Sequence, residues 1–216
     1  MQITIREPGS AITHFIGMML AIFAAIPLLV KAGLSSTSMS LGAMTVFMAS
    51  MILLYGASAA YHSVNLTGKA LRVFRKLDHM MIFVLIAGSY TPVCLIVLGG
   101  SLGYALLALV WGIALAGMII KACWITCPKW FSSAIYIAMG WVCVLVFGRL
   151  LDTLAPTAFL WLLAGGLLYT AGGVIYALKL PIFNSRHKDF GSHEVFHLFV
   201  MAGSICHFIF MYIYVA

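Results

Sequence analysis

The sequence predicts an all-α integral membrane protein built as a bundle of seven transmembrane helices. Of the 216 residues, 64% are hydrophobic and 8% are charged, and the mean hydropathy is +1.12. Soluble domains carry roughly 25% charged residues, so this composition is typical of a chain that lies mostly in lipid. Seven apolar runs each approach the length of about 20 residues that a helix needs to cross a bilayer.

The predicted spans follow one another with short breaks. They cover residues 11–33, 41–63, 78–98, 103–121, 132–150, 157–179 and 191–215. Glycine, proline and basic residues interrupt the apolar runs, and the basic run from Lys69 to Lys76 is one of these breaks. Nothing between the spans is long enough to fold separately, so residues 1–216 are expected to form a single transmembrane domain. The short polar N-terminus lacks the features of a cleavable signal peptide, so the first span is expected to remain a helix.

Small residues also recur four positions apart within the fourth span and just before it. Gly99 and Gly103 form one such pair, and Gly112 and Ala116 form another. This spacing places small side chains on one helix face and predicts close helix packing.

The net charge of +7 does not indicate a nucleic-acid-binding protein, because the basic residues occupy short segments between apolar runs. Placing the N-terminus in the cytoplasm leaves ten basic residues inside and two outside. The inner set is Arg6, Lys69, Arg72, Arg75, Lys76, Lys121, Lys129, Lys179, Arg186 and Lys188, and the outer set is Lys31 and Arg149. The positive-inside rule therefore predicts a cytoplasmic N-terminus and an external C-terminus.

The five cysteines do not form a recognisable metal-binding pattern. They are Cys94, Cys123, Cys127, Cys143 and Cys206, and they lie within or beside apolar segments. We interpret them as reduced, small hydrophobic residues.

Two histidines at the start of the seventh span indicate a metal site. His193 and His197 lie four residues apart, about one helical turn, so both imidazoles can reach a single ion. The predicted topology places His62, at the end of the second span, at the same membrane depth. Asp78 begins the third span in the same layer. Three protein ligands with a fourth position left for water are typical of catalytic zinc.

This arrangement suggests specific roles for the neighbouring polar residues. Zinc lowers the pKa of a bound water to about 7, and Asp78 is placed to act as its general base. Ser58 lies one turn before His62 and could donate a hydrogen bond to an oxyanion. The remaining histidines are interpreted as interfacial polar residues, namely His14, His79, His187 and His207. His207 lies deep in the seventh span and is expected to bond a neighbouring helix or a water.

The stretch His193-Glu194-Val195-Phe196-His197 also matches the HExxH pattern of zinc proteases, in which the glutamate is the general base. The further ligand of such enzymes is missing, since position 203 is Gly203 and no carboxylate follows. We therefore interpret the match as accidental. Glu194 is then either a candidate for contact with the metal ligands or a charged residue at the membrane interface.

Three motifs together resemble the progestin and adipoQ receptor family, and within it the bacterial haemolysin III-like branch. They are Glu7-x2-Ser10-x3-His14, Ser58-x3-His62 followed by Asp78, and His193-x3-His197. The resemblance covers essentially the whole chain. It implies seven helices, a zinc ion bound by His62, His193 and His197, and a water held by Asp78. Glu7 and His14 match a family motif and are candidate contacts near the cytoplasmic mouth.

Three functions are compatible with these residues. The first is a zinc-dependent hydrolase of a lipid amide or ester, since the broader superfamily includes ceramidase-like enzymes. The second is a sensor of lipid state with structural zinc, and the third is a pore or lytic protein. A conducting path needs polar side chains through the whole bilayer, and the outer halves of these helices offer few.

The expected partner is a membrane lipid, and the expected location is the bacterial inner membrane. The oligomeric state is left open.

Overall fold

The computed structural model describes residues 5–35, 37–178 and 190–216. Within these residues, seven helices are long and apolar enough to cross a membrane. They are α1 (Pro8–Gly33), α2 (Ser38–Ser63), α3 (Gly68–Leu98), α4 (Gly100–Cys123), α5 (Lys129–Thr153), α6 (Pro156–Leu178) and α7 (Ser192–Val215). The predicted class, a seven-helix membrane bundle, is confirmed. The orientation of the termini across the membrane stays a prediction.

The third helix begins about ten residues earlier than its apolar run. The basic stretch from Lys69 to Lys76 was predicted to be a break, and that prediction is wrong because α3 already starts at Gly68. Leucine, lysine and arginine have high helix propensity, so the helix extends N-terminally beyond the apolar run. The basic side chains lie on this extension, outside the apolar run. Asp78 therefore lies inside a helix rather than at its start.

Helices that follow one another in the chain pack side by side, and α7 returns to contact α1. The bundle is thus closed between its first and last helices. Buried hydrogen bonds link helices that are distant in sequence. Tyr55 on α2 donates to Ser204 on α7 at 2.7 Å, and Tyr169 on α6 contacts the same hydroxyl at 2.8 Å. His207 Nε2 lies 3.2 Å from the Leu162 carbonyl oxygen, which confirms the expected bond to a neighbouring helix.

The small-residue pairs predicted in the fourth span have different surroundings. A Cβ atom on Gly103 would lie 2.1 Å from the Cys94 carbonyl oxygen, so glycine permits a close backbone approach there. Among the residues that the structure describes, none outside the local turns of α4 has an atom within 4 Å of the Cβ position of Gly112. The packing interpretation therefore holds for Gly103 and is wrong for Gly112, because spacing alone does not tell which face of a helix meets a neighbour.

The fifth helix is irregular at mid-length, where it lines the interior. Its first part ends at Gly140, and a tighter 3-10 segment follows from Trp141 to Val146. Tyr90 on α3 bridges this change, because its hydroxyl donates to the Gly140 carbonyl at 2.6 Å and accepts the Cys143 N–H at 2.8 Å. Unpaired backbone groups are costly in lipid, so this tyrosine stabilises the irregular segment.

Candidate metal centre and adjoining cavity

Three histidines converge at the end of the bundle where α1 begins. His62 comes from the last turn of α2, and His193 and His197 come from the first two turns of α7. One ring nitrogen of each lies within 4.8 Å of those of the other two, a spacing at which they could hold a metal ion. His62 and His197 are 2% and 1% exposed. The three predicted ligands, far apart in sequence, therefore form one buried cluster.

The geometry of this cluster fits a zinc ion. Nitrogen ligands about 2.0–2.1 Å from a tetrahedral zinc are roughly 3.3 Å from each other. His62 Nε2 and His193 Nε2 are 3.2 Å apart. A buried set of neutral imidazoles is also a donor set that zinc accepts readily. The type and number of the three residues thus fit the predicted metal, and the separation of the His62 and His193 nitrogens fits its ligand spacing.

The nitrogen of His62 that faces away from the cluster contacts the Glu7 carboxylate. The Glu7 backbone N–H also donates to the His62 carbonyl oxygen at 3.0 Å. The pKa of the Glu7 carboxyl is lowered to about 2, chiefly by the hydrogen bond from His62. Partial burial opposes this shift, and the charge of Arg6 adds to it. Glu7 is therefore ionised throughout the neutral pH range.

Helix α1 contacts His197 as well. Thr13 Oγ1 lies 3.1 Å from His197 Nδ1. The His14 ring stacks on the His197 ring with centroids 3.6 Å apart and planes within 6° of each other. His14 is 3% exposed, and neither of its ring nitrogens has a hydrogen-bond partner among the described residues. The interpretation of His14 as an interfacial residue is thus wrong, because it is enclosed beside the cluster.

Glu194 ties the start of α7 to α1. One carboxylate oxygen accepts the Gly191 N–H at 2.7 Å, and the other accepts the Ser10 hydroxyl. The first bond satisfies a backbone donor at the helix N-terminus, where carboxylates are stabilising. Both oxygens are used in fixing the helix that carries His193 and His197. Glu194 thus serves as a structural link in the HExxH-like stretch.

Asp78 and Ser58 line one cavity together with His193 and His197. Asp78 is 7% exposed, and one of its oxygens lies 3.3 Å from His79 Nδ1, within ion-pair distance but without hydrogen-bond alignment. Ser58 is fully buried, and its hydroxyl has no hydrogen-bond partner among the described residues. The structure therefore brings the predicted catalytic pair to the same cavity as two of the predicted metal ligands.

The cavity has a volume of about 160 Å³ and extends from this polar end along α7 to His207. The fourteen residues between His193 and His207 correspond to about 21 Å of helix. Apolar side chains form most of the wall away from the histidines, and representative ones are Leu85, Val93, Val146, Leu150, Phe159 and Val200. The interior thus joins a polar, ligand-rich end to a long apolar chamber.

One contact residue in this centre was not found from the sequence. Thr13 bears no motif signal of its own, because threonines that bond backbone carbonyls occur commonly in apolar helices. Its only hint is its place beside His14 within the motif that begins at Glu7. His187, which was interpreted as an interfacial residue, lies outside the described residues.

The fold and the site define the chain as a multi-pass integral membrane protein of seven helices with a buried histidine cluster at one end. Comparison with known proteins then gives the family. The chain matches the sequence model described as "Haemolysin-III related" over residues 2–208. The protein belongs to this haemolysin III family, as the sequence motifs predicted.

Individual relatives agree with this assignment. The chain is 39% identical over 210 residues to "Hemolysin-3" of Bacillus cereus, covering 97% of this chain and 92% of that protein. It is 35% identical to the "Hemolysin-3 homolog" of Bacillus subtilis (strain 168), covering 95% and 92%. A more distant relative is "Progestin and adipoQ receptor-like protein 1" of Caenorhabditis elegans, 28% identical over 94% of this chain and 50% of that protein.

Proposed function

We propose that this protein is a zinc-dependent hydrolase of a lipid amide or ester in the bacterial inner membrane. The observation that carries the proposal is that candidate metal ligands and an apolar cavity adjoin each other inside the bundle. A cluster of three histidines lies at the end of an apolar cavity, and Asp78 and Ser58 line the same cavity. The bacterial relatives and the seven apolar helices support the proposed location.

The histidines His62, His193 and His197 would hold the zinc ion through one ring nitrogen each. When bound, zinc supplies a Lewis acid that polarises a carbonyl and lowers the pKa of a water to about 7. Side chains of the protein would carry out the proton transfer and stabilise the developing charge. Asp78 accepts the proton of the attacking water and returns it to the leaving amine or alcohol, as a general base and then a general acid.

Ser58 is placed to donate its hydroxyl to the carbonyl oxygen of the lipid, where negative charge develops. Its hydroxyl is buried beside Asp78 and makes no hydrogen bond of good geometry among the described residues, so it would turn from Asp78 to the bound lipid. The apolar chamber beyond would take the acyl chain and hold the scissile bond beside the histidines. Binding of the acyl chain would position the scissile bond, and holding that bond in place lowers the entropic cost of the reaction.

The test combines metal content with product release from purified protein. We expect about one zinc ion per chain, as three histidine ligands and one open position imply. We also expect release of fatty acid from an N-acyl lipid or from the matched acyl ester. His193→Ala should lose both zinc and turnover. His187→Ala, which changes a histidine between the sixth and seventh spans, should keep both.

Other outcomes separate the alternatives. Zinc that is bound without any hydrolysis of either lipid would favour the sensor with structural zinc. A well-folded protein that binds no zinc would reject the proposed chemistry.

A further inference from the structure

We propose that Glu7, which directly precedes α1, and the first two turns of α1 hold two of the metal-binding histidines in the tautomer and orientation that a metal ion requires, with Glu7 acting on His62 and Thr13 acting on His197. The inference rests on the metal centre of the proposed function. It deepens that function by assigning positioning residues to a helix that supplies none of the three ligands.

The two ring nitrogens of His62 have different partners, Glu7 at Nδ1 and His193 at Nε2. A neutral imidazole carries one proton, and only the other nitrogen can bind a metal. Carboxylate oxygens are hydrogen-bond acceptors, so the contact between the Glu7 carboxylate and Nδ1 pairs an acceptor with a ring N–H at Nδ1. The lone pair then lies on Nε2, the atom that faces His193 at 3.2 Å.

Glu7 is itself held in place. Its backbone N–H donates to the carbonyl oxygen of His62 at 3.0 Å, so the two residues are joined twice. Pro8 follows and begins α1, and proline is favoured at the first helical position because its φ angle is preset. The backbone on both sides of the Glu7 carboxylate is therefore constrained. Less conformational entropy is then lost when the carboxylate fixes the His62 ring.

The Thr13 hydroxyl lies between its own helix backbone and the His197 ring. The hydroxyl donates to the carbonyl oxygens of Gly9 and Ser10, each at 3.0 Å. Its single proton is thus engaged, and toward His197 Nδ1 at 3.1 Å the oxygen acts as an acceptor. Nδ1 of His197 therefore carries the ring proton and Nε2 the free lone pair, the same tautomer as in His62.

The next residue fixes the plane of the same ring. His14 stacks on His197 at 3.6 Å with the planes nearly parallel, while Thr13 contacts the edge. An edge contact and a face contact together leave the His197 ring little freedom. Ser10, one turn before His14, bonds Glu194 at the start of α7 and so fixes the backbone that carries the ligands.

His193 differs from the other two ligands. Its Nδ1 has no hydrogen-bond partner among the described residues. The support from α1 is thus specific to two of the three histidines. Partners of this kind are typically worth about 10–100-fold in metal affinity, because without them the ligand must reorient and choose its tautomer on binding.

The test measures zinc affinity of the full-length, detergent-purified protein by competition with a chromophoric chelator. Thr13→Val preserves shape but removes the acceptor, and Glu7→Gln preserves shape but removes the charge. We expect each to weaken zinc binding by about 10–100-fold. Thr13→Ser restores a hydroxyl and should return affinity to within about twofold of wild type.

Thr45→Val is the matched control. Thr45 is an exposed threonine on α2 whose hydroxyl donates to the Leu41 carbonyl at 2.7 Å, the same type of helix bond that Thr13 makes. Its replacement should leave affinity unchanged. A second readout is the visible spectrum of the cobalt-loaded protein, which reports ligand geometry. It should change in Thr13→Val and in neither Thr13→Ser nor Thr45→Val.

The outcomes are distinguishable. Wild-type protein that binds zinc tightly, with folded Thr13→Val and Glu7→Gln variants of equal affinity and unchanged cobalt spectrum, would overturn this inference and leave the proposed function standing. Wild-type protein that binds no zinc would overturn both. Because the two substitutions act on different histidines, Glu7→Gln decides the question if Thr13→Val fails to fold.

Discussion

The imidazole rings of His14 and His197 lie face to face, with centroids 3.6 Å apart and planes within 6° of each other. One ring belongs to the first helix and the other to the last, so the contact closes the bundle beside the candidate metal centre. His197 is a predicted ligand, whereas His14 is buried with both nitrogens unpartnered among the described residues. Buried polar atoms without partners cost about 1–3 kcal/mol, so a purely structural role would be better served by an apolar ring.

Replacing His14 therefore separates stability from activity. His14→Phe keeps an aromatic ring against His197 and removes two unpaired nitrogens. We expect its melting temperature in detergent to equal or exceed that of wild type, while lipid hydrolysis falls because His14 lines the cavity that is proposed to receive the substrate. A variant with lower stability and full turnover would show that the nitrogens serve the fold alone.

Asp78→Asn tests the proposed acid–base group without removing a metal ligand. We expect zinc content to stay at the wild-type level and turnover to fall by about 10²–10⁴-fold, the usual contribution of general acid–base catalysis. Asp152→Asn is the control, because Asp152 is exposed at the far end of α5. Equal turnover in the two variants would remove Asp78 from the mechanism.

Cys127, in the segment between α4 and α5, is expected to react at lower pH than an ordinary thiol. Burial raises the pKa of this thiol, but the hydrogen bonds from Ser132 and Lys121 and the charges of Lys121 and Arg75 outweigh it and lower the pKa. Lys121 Nζ lies 3.1 Å from the sulfur. The thiolate that reacts with alkylating agents is therefore present at lower pH.

The measurement is the pH dependence of iodoacetamide labelling, resolved by cysteine with mass spectrometry. The labelling midpoint of Cys127 should lie below that of free N-acetylcysteine in the same buffer. Lys121→Met should move the Cys127 midpoint upward. Coincident midpoints in the wild-type protein would contradict the prediction.

Two glycines of α4 provide a matched test of helix packing. Gly103→Ala places a Cβ atom 2.1 Å from the Cys94 carbonyl oxygen, so the backbone must shift. We expect a loss of about 1–3 kcal/mol or more in stability, as for other overpacked sites. The Cβ atom of Gly112→Ala would meet no other helix in the described part of the chain, so the change should stabilise α4 by up to about 1 kcal/mol. Melting temperatures of both variants in the same detergent check the sign of each effect.

The seven spans and the main histidine cluster could be predicted because both depend on local properties of the chain. The cost of exposing polar groups to lipid makes each span a run of apolar residues of defined length, which is read directly from the sequence. His193 and His197 lie one turn apart in a helix whatever the rest of the fold does. His62 required one further step, since its depth followed from the predicted topology.

Other features depend on which helix faces which, and they were decided by the tertiary structure. Thr13 and His197 are separated by 184 residues and meet only because α1 packs against α7. Gly103 and Gly112 differ in the same way, since one meets a neighbouring backbone and the other does not. The extra turns of α3 were missed because polar residues carry no hydropathy signal even where their helix propensity is high.

By itself, the sequence thus determined the class of protein, the number of spans and the three candidate ligands, because hydropathy and helical period are properties of neighbouring residues. Only the tertiary structure decided that His14 is enclosed and that Glu7 and Thr13 contact the ligand rings. It also decided that the cavity joins Asp78 and Ser58 to the histidine end. These contacts arise from packing between distant segments, so motifs and predicted depth could suggest the residues but not the partners that they meet.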